Sequence, residues 1–442
     1  MHNTNVRFRV QPGGTLQGEA RVPGDKSVSH RSIMLGSIAE GTTHVSGFLD
    51  AEDCLSTMKA FKAMGVSIEG PEAGRVTIHG VGLRGLNAPA EPLYLGNSGT
   101  SMRLLSGLLS GQPFDSVLTG DPSLSRRPMK RVTDPLRSMG AVIGTTETGT
   151  SPLHIHGGAT LTGIHYDMPV ASAQVKSCLL LAGLYAEGTT SVREPAPTRD
   201  HTERMLVGFG YPVTREGDTV SVGSGGKLTA CDIDVPSDIS SAAFFMVGAS
   251  IARDADVLLQ HVGINPTRTG VIDILRLMGA RIDVLNPREA GGEPVADIRI
   301  RSSQLRGIDI PENLVPLAID EFPVLFVAAA CAEGETRLTG AEELRVKESD
   351  RIQVMADGLQ VLGVDAQPTA DGMIVRGGPM SGGMVESHGD HRIAMAFSIA
   401  SLRANGPIEI NDCANVNTSF PTFVELARRL GLHIDSVITE NP

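Results

Sequence analysis

Five cationic or amide side chains stand at the beginning of segments that the sequence predicts to be apolar helices. They are Lys26, Arg31, Gln174, His391 and Arg392. Capping explains the Ser, Asp and Asn residues beside them, but it does not explain a cation next to an apolar helix. A desolvated cation needs an anionic partner. The pattern predicts bound anions or internal ion pairs, and bound anions are favoured because the free N–H groups of helix N-termini attract them.

Three loop segments add further charge. Residues 124–131 are rich in Arg and Lys, residues 198–203 mix both signs, and residues 344–351 contain Lys347 and Arg351. Each segment alone is equally well explained as a solvent-exposed charge run. Together they indicate a substrate with several negative groups, because Arg suits bidentate phosphate or carboxylate contacts and Lys supplies a point charge. The four-residue spacing predicts that Lys347 and Arg351 share one helix face.

Two acidic residues lie within this cationic setting. Asp320 and Glu348 could act as an acid and a base if their surroundings separate their pKa values. The alternative is structural, with Asp320 capping its helix and Glu348 pairing with Lys347. The spacing alone leaves both interpretations open.

The elements that must position these residues follow a repeat. An apolar–Gly–apolar step, at the end of a predicted helix, recurs roughly every 70 to 80 residues. Each repeat predicts an apolar helix, a strand after a Gly turn, and an amphipathic helix. The helices at 177–183 and 322–332 are apolar all round and should be buried on every side. The glycines of the six steps are Gly65, Gly140, Gly210, Gly279, Gly363 and Gly431.

Six such α/β units divide into three plus three. The Gly-rich stretch at 222–227 predicts a break before residue 236, and a second crossing falls near Pro23 if the N-terminal strand pairs with the later domain. The expected domains are residues 25–235, and residues 1–24 together with 236–442. A chain of 442 residues with 41% hydrophobic content is long enough for two cores.

Composition excludes several functional classes. The net charge of −12 argues against general nucleic-acid or membrane-surface binding. Five dispersed cysteines with no Cys-x-x-Cys pair indicate buried thiols in a reducing compartment. The N-terminal sequence shows no apolar signal region and no segment approaches a membrane span, so a cytoplasmic location is expected. His154 and His156 share a strand face, but no carboxylate or Cys completes a metal site, and no metal or cofactor is expected.

Taken together, these residues resemble the 5-enolpyruvylshikimate-3-phosphate (EPSP) synthase family. The resemblance runs nearly from end to end, and all of its motifs occur in order. They are residues 23–31 (PGDKSVSHR), 96–100 (GNSGT), 127–128 (RP), 345–351 (RVKESDR), 390–392 (DHR) and 418–421 (TSFP).

The resemblance implies an α/β fold of two similar domains, each of three βαβαββ units. This is the enolpyruvyl transferase-like inside-out α/β barrel, with the active site in the interdomain cleft. It also implies a reaction that transfers the enolpyruvyl group of phosphoenolpyruvate to the 5-hydroxyl of shikimate 3-phosphate, through a tetrahedral intermediate and with release of phosphate. These two small molecules are the expected partners, no cofactor is expected, and the protein is expected to be a monomer.

The motifs carry the family's site residues onto this chain. Asp320 would take the proton of the 5-hydroxyl, and Glu348, with Lys26, would deliver a proton to the methylene carbon. Shikimate 3-phosphate would be bound by Lys26, Ser27, Arg31, Ser172, Ala173, Gln174, Arg199, Asp320 and Lys347. Phosphoenolpyruvate would be bound by Lys26, Asn97, Gly99, Arg127, Gln174, Arg351 and Arg392.

The chain departs from many family members at several positions. No Lys precedes Phe420, Leu104 replaces a Pro, and Glu343 and Leu344 replace Asn-Trp. The stretches at 171–176 and 198–203 resemble a second bacterial subclass whose members often tolerate glyphosate, a mimic of phosphoenolpyruvate. This similarity predicts tolerance here.

Two other functions fit parts of the pattern. The sister enzyme that uses UDP-N-acetylglucosamine shares the fold, but its loop usually bears a Cys, which residues 121–131 lack, and its early motif is Lys-Asn. A non-catalytic anion-binding repeat protein would also satisfy the repeats, because fold does not fix function. Such a protein has no need for unlike residues at equivalent helix starts, such as Lys26, Gln174 and Asp320.

Overall fold

The structure is a computed structural model that describes residues 5–439. The chain divides into two compact units. The first unit comprises residues 24–235 and 290–293, and the second comprises residues 5–23, 236–289 and 294–439. Each unit has its own hydrophobic core. The predicted boundaries of independently folding domains stay a prediction.

Two short strands precede the first module. They are β1 (Asn5–Val10) and β2 (Gln17–Ala20), and both belong to the second unit. The first unit then repeats one order of elements: an apolar first helix, a strand, a second helix and an antiparallel strand pair. Its elements are α1 (Lys26–Ile38), β3 (Glu40–Ser46), α2 (Glu52–Ala63), β4 (Ser67–Glu72), β5 (Arg75–Val81), β6 (Leu93–Tyr94), α3 (Gly99–Ser110), β7 (Ser116–Thr119), α4 (Lys130–Ser138), β8 (Val142–Gly144), β9 (Leu153–His156), β10 (His165–Asp167), α5 (Ala173–Gly183), β11 (Thr189–Arg193), α6 (His201–Gly208), β12 (Thr214–Glu216), β13 (Thr219–Gly223) and β14 (Ile233–Asp234).

The three sheets of the first unit share one strand order. The sheets run β14-β3-β5-β4, β6-β7-β9-β8 and β10-β11-β13-β12. In each sheet the first pair is parallel and the other pairs are antiparallel. A parallel pair needs a crossover, which the first helix of the module supplies in the second and third sheets. In the first sheet, β14 fills the parallel position from the far end of the unit.

The second unit repeats the same order, except that a single strand follows the second helix of its last module. Its elements are α7 (Ile239–Ile251), β15 (Asp256–Gly263), α8 (Gly270–Leu277), β16 (Arg281–Ala290), β17 (Glu293–Arg301), α9 (Phe322–Cys331), β18 (Glu335–Leu338), α10 (Arg351–Val361), β19 (Asp365–Pro368), β20 (Met373–Arg376), β21 (Gly383–Glu386), α11 (His391–Ala400), β22 (Ile408–Asn411), α12 (Phe423–Leu430) and β23 (Ile434–Thr439). Short 3-10 turns at Ile319–Glu321 and Glu342–Val346 precede α9 and α10.

The N-terminal strands complete two sheets of the second unit. Strand β2 pairs in parallel with β15, in the sheet order β16-β17-β15-β2. Strand β1 lies between β22 and β23 and is antiparallel to both. The remaining sheet has the order β18-β20-β19. The six α/β modules found within residues 5–439 confirm the predicted repeat.

The first helices are buried and the second helices are amphipathic, as the sequence predicts. Every residue of α7 is buried, and α9 is buried from Phe322 to Ala330. The backbones of α3 and α5 lie so close together that a Cβ at Gly107 would collide with the backbone of Cys178. Among the described residues, no helix is both long enough and apolar enough to span a membrane.

The second helices end at the predicted glycines. All six glycines have positive φ, from +80° at Gly210 and Gly363 to +121° at Gly431. The N–H group of the next residue donates to the carbonyl five positions earlier, as in Tyr211 to Leu206 at 2.9 Å. This hydrogen bond is the helix-ending Schellman motif, and its left-handed residue is usually Gly.

Replacing Gly210 with Ala tests the backbone requirement alone, because a Cβ there meets no atom within 4 Å. We expect Gly210→Ala to lower the free energy of unfolding by about 1 kcal/mol, the cost of a left-handed conformation for a residue with a Cβ. Urea unfolding followed by circular dichroism measures the change.

Gly208 supplies the matched control. It also has open space around its Cβ position, but it lies in α6 and has no positive φ. Gly208→Ala should leave stability unchanged or raise it, because Ala is the better helix former. Equal destabilisation by both variants would contradict the assignment of the helix stop.

Candidate functional site

Helix α1 begins at two of the predicted site residues, Lys26 and Ser27. The Asp25 side chain accepts a hydrogen bond from the Val28 N–H at 2.9 Å and caps the helix. Lys26 Nζ lies 3.1 Å from Asp53 Oδ2, and Lys26 remains partly exposed while Asp53 is buried. This cation therefore has an internal ion pair, one of the two alternatives that the sequence left open.

Arg31 connects three helices of the first unit. Its Nε donates to Thr202 Oγ1 at 2.7 Å and its Nη2 donates to Ser177 Oγ at 3.1 Å. Its Nη1 donates to the Ser27 carbonyl at 3.0 Å. These bonds fix the orientation of a buried guanidinium. An oriented guanidinium suits an anionic ligand, because its N–H donors match the oxygens of a carboxylate or phosphate.

Gln174 joins the N-termini of α5 and α3. Its Oε1 accepts from Arg103 Nη1 at 2.5 Å, and its Nε2 donates to Thr100 Oγ1 at 3.0 Å. Ser172 caps α5 by accepting from the Val175 N–H at 3.3 Å. Ala173 is the first residue of that helix and, like Ser172 and Gln174, is partly exposed. Arg103, which is buried, is a member of this group that the sequence interpretation missed.

Arg127 approaches the N-terminus of α3, where Asn97 and Gly99 lie. Arg127 Nη2 donates to Asn97 Oδ1 at 2.8 Å, and both residues are buried. A Cβ at Gly99 would lie 2.8 Å from Arg127 Nη1 and 3.0 Å from Arg103 Nη1. The missing side chain therefore leaves room for two guanidinium groups beside the free N–H groups of the helix, a setting that favours an anion.

Arg199 is partly exposed in the loop that follows a buried charge network. Lys176 is fully buried, and its Nζ lies 2.7 Å from Glu194 Oε1 and 3.0 Å from Glu203 Oε2. Glu194 also accepts from the Thr198 N–H at 3.2 Å. Burial would raise the pKa of Glu194, but Lys176 and the hydrogen bonds hold it below its usual value. The network anchors the loop one residue before Arg199.

His30 lies behind these cations in a hydroxyl network. Its Nδ1 is 2.8 Å from Thr57 Oγ1 and 3.3 Å from Ser101 Oγ. Burial lowers the pKa of His30 well below its usual value, and the positive charges of Lys26 and Arg31 lower it further. A neutral imidazole here avoids a third positive charge in the core.

In the second unit, Asp320 lies among three cations. Its Oδ1 is 3.5 Å from Lys347 Nζ and 3.4 Å from Arg351 Nη1. Its Oδ2 is 4.0 Å from Arg392 Nη2. Asp320 belongs to the 3-10 turn before α9, and Glu321 occupies the N-cap position instead. Asp320 therefore does not cap the helix, which was the structural alternative.

Arg351 is fully buried and holds three carboxylates. Its Nε donates to Asp390 Oδ2 at 2.9 Å, its Nη2 to Glu348 Oε2 at 2.8 Å, and its Nη1 to Asp320. Burial alone would lower the pKa of Arg351, but Asp390, Glu348 and Asp320 raise it above its usual value. Glu348 thus pairs with Arg351, whereas the structural alternative paired it with Lys347. Asp390 was missed because it lies 39 residues from Arg351.

The prediction that Lys347 and Arg351 share one helix face is wrong. The Asp350 side chain accepts from the Gln353 N–H at 3.1 Å and caps α10, so the helix begins at Arg351. Lys347 precedes it in extended backbone. The two cations meet at Asp320 through tertiary structure.

Helix α11 begins with His391 and Arg392. Asp390 Oδ1 accepts from the Arg392 N–H at 3.0 Å, so one carboxylate caps this helix and also binds Arg351. Ser349 Oγ donates to Asp390 Oδ2 at 2.9 Å. Both His391 and Arg392 are buried.

The structure brings the predicted residues into two groups, one in each unit. The group in the first unit presents cations and donors beside helix N-termini and is suited to hold anions. It comprises Lys26, Ser27, Arg31, Asn97, Gly99, Arg127, Ser172, Ala173, Gln174 and Arg199. The group in the second unit combines carboxylates with cations and is suited to proton transfer next to an anion. It comprises Asp320, Lys347, Glu348, Arg351 and Arg392.

Comparison with known proteins identifies the family. The family model described as EPSP synthase (3-phosphoshikimate 1-carboxyvinyltransferase) matches residues 10–426. The chain belongs to the EPSP synthase family. A 3-phosphoshikimate 1-carboxyvinyltransferase of Methylococcus capsulatus is 74% identical over 435 residues, which cover 98% of this chain and 100% of the relative. One from Nitrosococcus oceani is 69% identical over 97% of both chains.

Solved structures agree with the EPSP synthase family. EPSP synthase from Acinetobacter baumannii has a TM-score of 0.87 and 65% identity, and the match covers 98% of this chain and 100% of that one. The enolpyruvyl transferase NikO from Streptomyces tendae has a TM-score of 0.79 at 18% identity over 99% of this chain and 100% of that one, and this likeness shows the fold alone. The inside-out α/β fold predicted from the sequence is confirmed.

Asp390, the fully buried partner of Arg351, should contribute strongly to the free energy of unfolding. We expect Asp390→Asn to lower the free energy of unfolding by about 3 kcal/mol, because it removes one charge from a fully desolvated pair. The control is Asp435→Asn, in the exposed pair with Arg428, where the loss should stay below about 1 kcal/mol. Urea unfolding of both variants measures the difference. Similar losses would show that Asp390 is not the principal counter-charge.

Proposed function

We propose that this chain transfers the enolpyruvyl group of phosphoenolpyruvate to the 5-hydroxyl of shikimate 3-phosphate and releases phosphate. Membership of the EPSP synthase family makes it an enolpyruvyl transferase of the shikimate pathway. The structural observation that carries the residue assignment is the meeting of Asp320 and Glu348 at one buried guanidinium, Arg351. Two carboxylates beside cations support the proposal, because the reaction needs an acid, a base and positive charge near its anionic substrates.

The two substrates carry two phosphates and two carboxylates, and the charged groups suit them. We assign Lys26, Ser27, Arg31, Ser172, Ala173, Gln174, Arg199, Asp320 and Lys347 to shikimate 3-phosphate. We assign Lys26, Asn97, Gly99, Arg127, Gln174, Arg351 and Arg392 to phosphoenolpyruvate. The approach of Arg127 and Arg103 to Gly99 supports this assignment, because guanidinium groups beside a helix N-terminus favour an incoming anion.

The proposed chemistry is addition followed by elimination. Asp320 accepts the proton of the 5-hydroxyl group while the hydroxyl oxygen forms a bond to C2 of phosphoenolpyruvate. Glu348, with Lys26, delivers a proton to the methylene carbon, which gives a tetrahedral intermediate. Glu348, now ionised, takes a proton back from the methyl group as the bond from C2 to the phosphate oxygen breaks, which restores the double bond. The released phosphate takes up the proton that Asp320 holds.

Arg351 has a second part in this proposal. Because it is fully buried and bonded to both Asp320 and Glu348, it holds the two proton-transferring groups in a fixed relation. Lys347 also lies near Asp320 and compensates its charge when substrate approaches. Preorganised charges of this kind stabilise a polar transition state without reorganising during the reaction.

The alternative functions have less support. The family match and the high-identity relatives do not favour the UDP-N-acetylglucosamine transferase. A non-catalytic anion-binding protein has no use for Asp320 and Glu348 beside the same cation. We further propose a cytoplasmic monomer that needs no cofactor, and glyphosate tolerance stays a prediction.

Phosphate release tests the function directly. Purified protein is given phosphoenolpyruvate with shikimate 3-phosphate, and each substrate is omitted in turn. The proposal expects phosphate release only when both are present. Release with UDP-N-acetylglucosamine instead would move the function to the sister transferase, and no release with either acceptor would leave an anion-binding protein.

The acid–base assignment is tested with isosteric variants. We expect Asp320→Asn and Glu348→Gln each to lower kcat by about 100-fold or more, because each removes a proton-transferring group. The KM values should change much less. Steady-state kinetics with both substrates measure the effect.

Glu342→Gln is the matched control for this test. Glu342 is exposed and lies in the 3-10 turn just before Lys347. Its replacement should leave kcat within about two-fold, as expected for a surface residue away from the site. Near-normal turnover of both Asp320→Asn and Glu348→Gln would refute the assignment, even if the function itself stands.

A further inference from the structure

Asn97 lies between a cation and an acid in the first unit. Arg127 Nη2 donates to Asn97 Oδ1 at 2.8 Å, and Asn97 Nδ2 donates to Asp121 Oδ2 at 2.9 Å. The three side chains form a hydrogen-bond relay, which runs from Arg127 through Asn97 to the Asp121 carboxylate. Asn97 and Arg127 are buried, so water does not readily replace either bond.

The chemistry of the partners fixes which way the Asn97 amide points. A guanidinium only donates hydrogen bonds, and an ionised carboxylate only accepts them. The amide has one accepting end and one donating end. Its oxygen must therefore face Arg127 and its NH2 group must face Asp121. Asp121 is the group that makes this orientation the favourable one.

Asp121 also holds the loop that presents Arg127. Its second oxygen, Oδ1, accepts from the Leu124 N–H at 2.7 Å, and the Leu124 carbonyl accepts from the Arg127 N–H at 3.0 Å. The Asp121 N–H donates to the Gly96 carbonyl at 2.8 Å, directly before Asn97. The Asp121 side chain therefore holds the loop at Leu124, and the Asp121 backbone N–H joins this loop to the segment before α3.

We propose that Asp121 is a positioning residue for Arg127 and thereby sets the affinity for phosphoenolpyruvate. The inference rests on the proposed function, which assigns Arg127 to that substrate. Asp121 acts through the Asn97 amide and does not contact the substrate. The hydrogen-bond relay serves one substrate, because Arg31 is held by Thr202 and the loop before Arg199 is held at Thr198.

Substitution with Asn separates positioning from simple charge. In Asp121→Asn the new side chain has a single accepting oxygen, so it cannot serve both Leu124 and Asn97. If that oxygen keeps Leu124, the Asn97 amide turns over and directs its NH2 group at Arg127. Removal of a negative charge near an anion site would by itself tighten anion binding. Positioning and charge therefore predict opposite changes in KM.

We expect Asp121→Asn to raise KM for phosphoenolpyruvate about ten-fold, the scale of one lost hydrogen bond to a charged group. KM for shikimate 3-phosphate and kcat should stay within about two-fold. Asp134→Asn is the matched control, since Asp134 is an exposed acid of the same unit paired with Arg137. It should leave every constant unchanged. An unchanged or lowered KM for phosphoenolpyruvate in Asp121→Asn overturns the inference.

A double-mutant cycle shows whether the effect passes through Arg127. In an Arg127→Lys background, Asp121→Asn should add no further increase, because the guanidinium that the relay orients is gone. An equal ten-fold increase in both backgrounds would refute the relay, as would parallel loss for both substrates. Wild-type turnover that needs both substrates, with a raised KM for phosphoenolpyruvate in Arg127→Lys, keeps the proposed function intact whichever way Asp121 behaves.

Discussion

The buried guanidinium of Arg351 is the constraint on which the second unit depends. Leaving it uncompensated in the core would cost several kcal/mol, so Asp320, Glu348 and Asp390 must all converge on it. The carboxylates come from three parts of the chain: the 3-10 turn before α9, the loop before α10, and the N-cap of α11. One desolvated charge therefore brings the ends of three elements together and sets the spacing of Asp320 and Glu348, the two acids proposed for proton transfer.

The cations of the first unit have different kinds of partner. Arg31 is oriented by two hydroxyls and a carbonyl, and Arg127 is oriented by the Asn97 amide. Such hydrogen bonds fix the geometry of each guanidinium. Lys176, which pairs with two carboxylates, is fully buried and supports a loop. Lys26 also pairs with a carboxylate but remains partly exposed, so exposure separates these two cations more clearly than the type of partner does.

Features that depend on neighbouring residues could be predicted from the sequence. Contacts between residues far apart in the chain could not. Helix stops such as Gly210 and the buried helix α9 follow from neighbouring residues, so they could be predicted. The motifs also predicted a set of site residues, whose roles stay a prediction. The helix placement of Lys347 failed because a cap at Asp350 outweighs a four-residue spacing. The pairing of Asp390 with Arg351 could not be predicted, because a contact across 39 residues leaves no periodic pattern in the sequence.

Chain connectivity adds a last constraint. Strand β1 lies between β22 and β23, so residues near position 8 pair with residues near positions 410 and 436. Loop-closure entropy makes such pairing slow, and the sheet cannot form before the chain's far end is available. Residues 24–235 form most of the first unit from one continuous segment. The group of cations and donors in the first unit is therefore encoded in a segment that can fold early, whereas Asp320 and Glu348 belong to a unit that must wait for both ends.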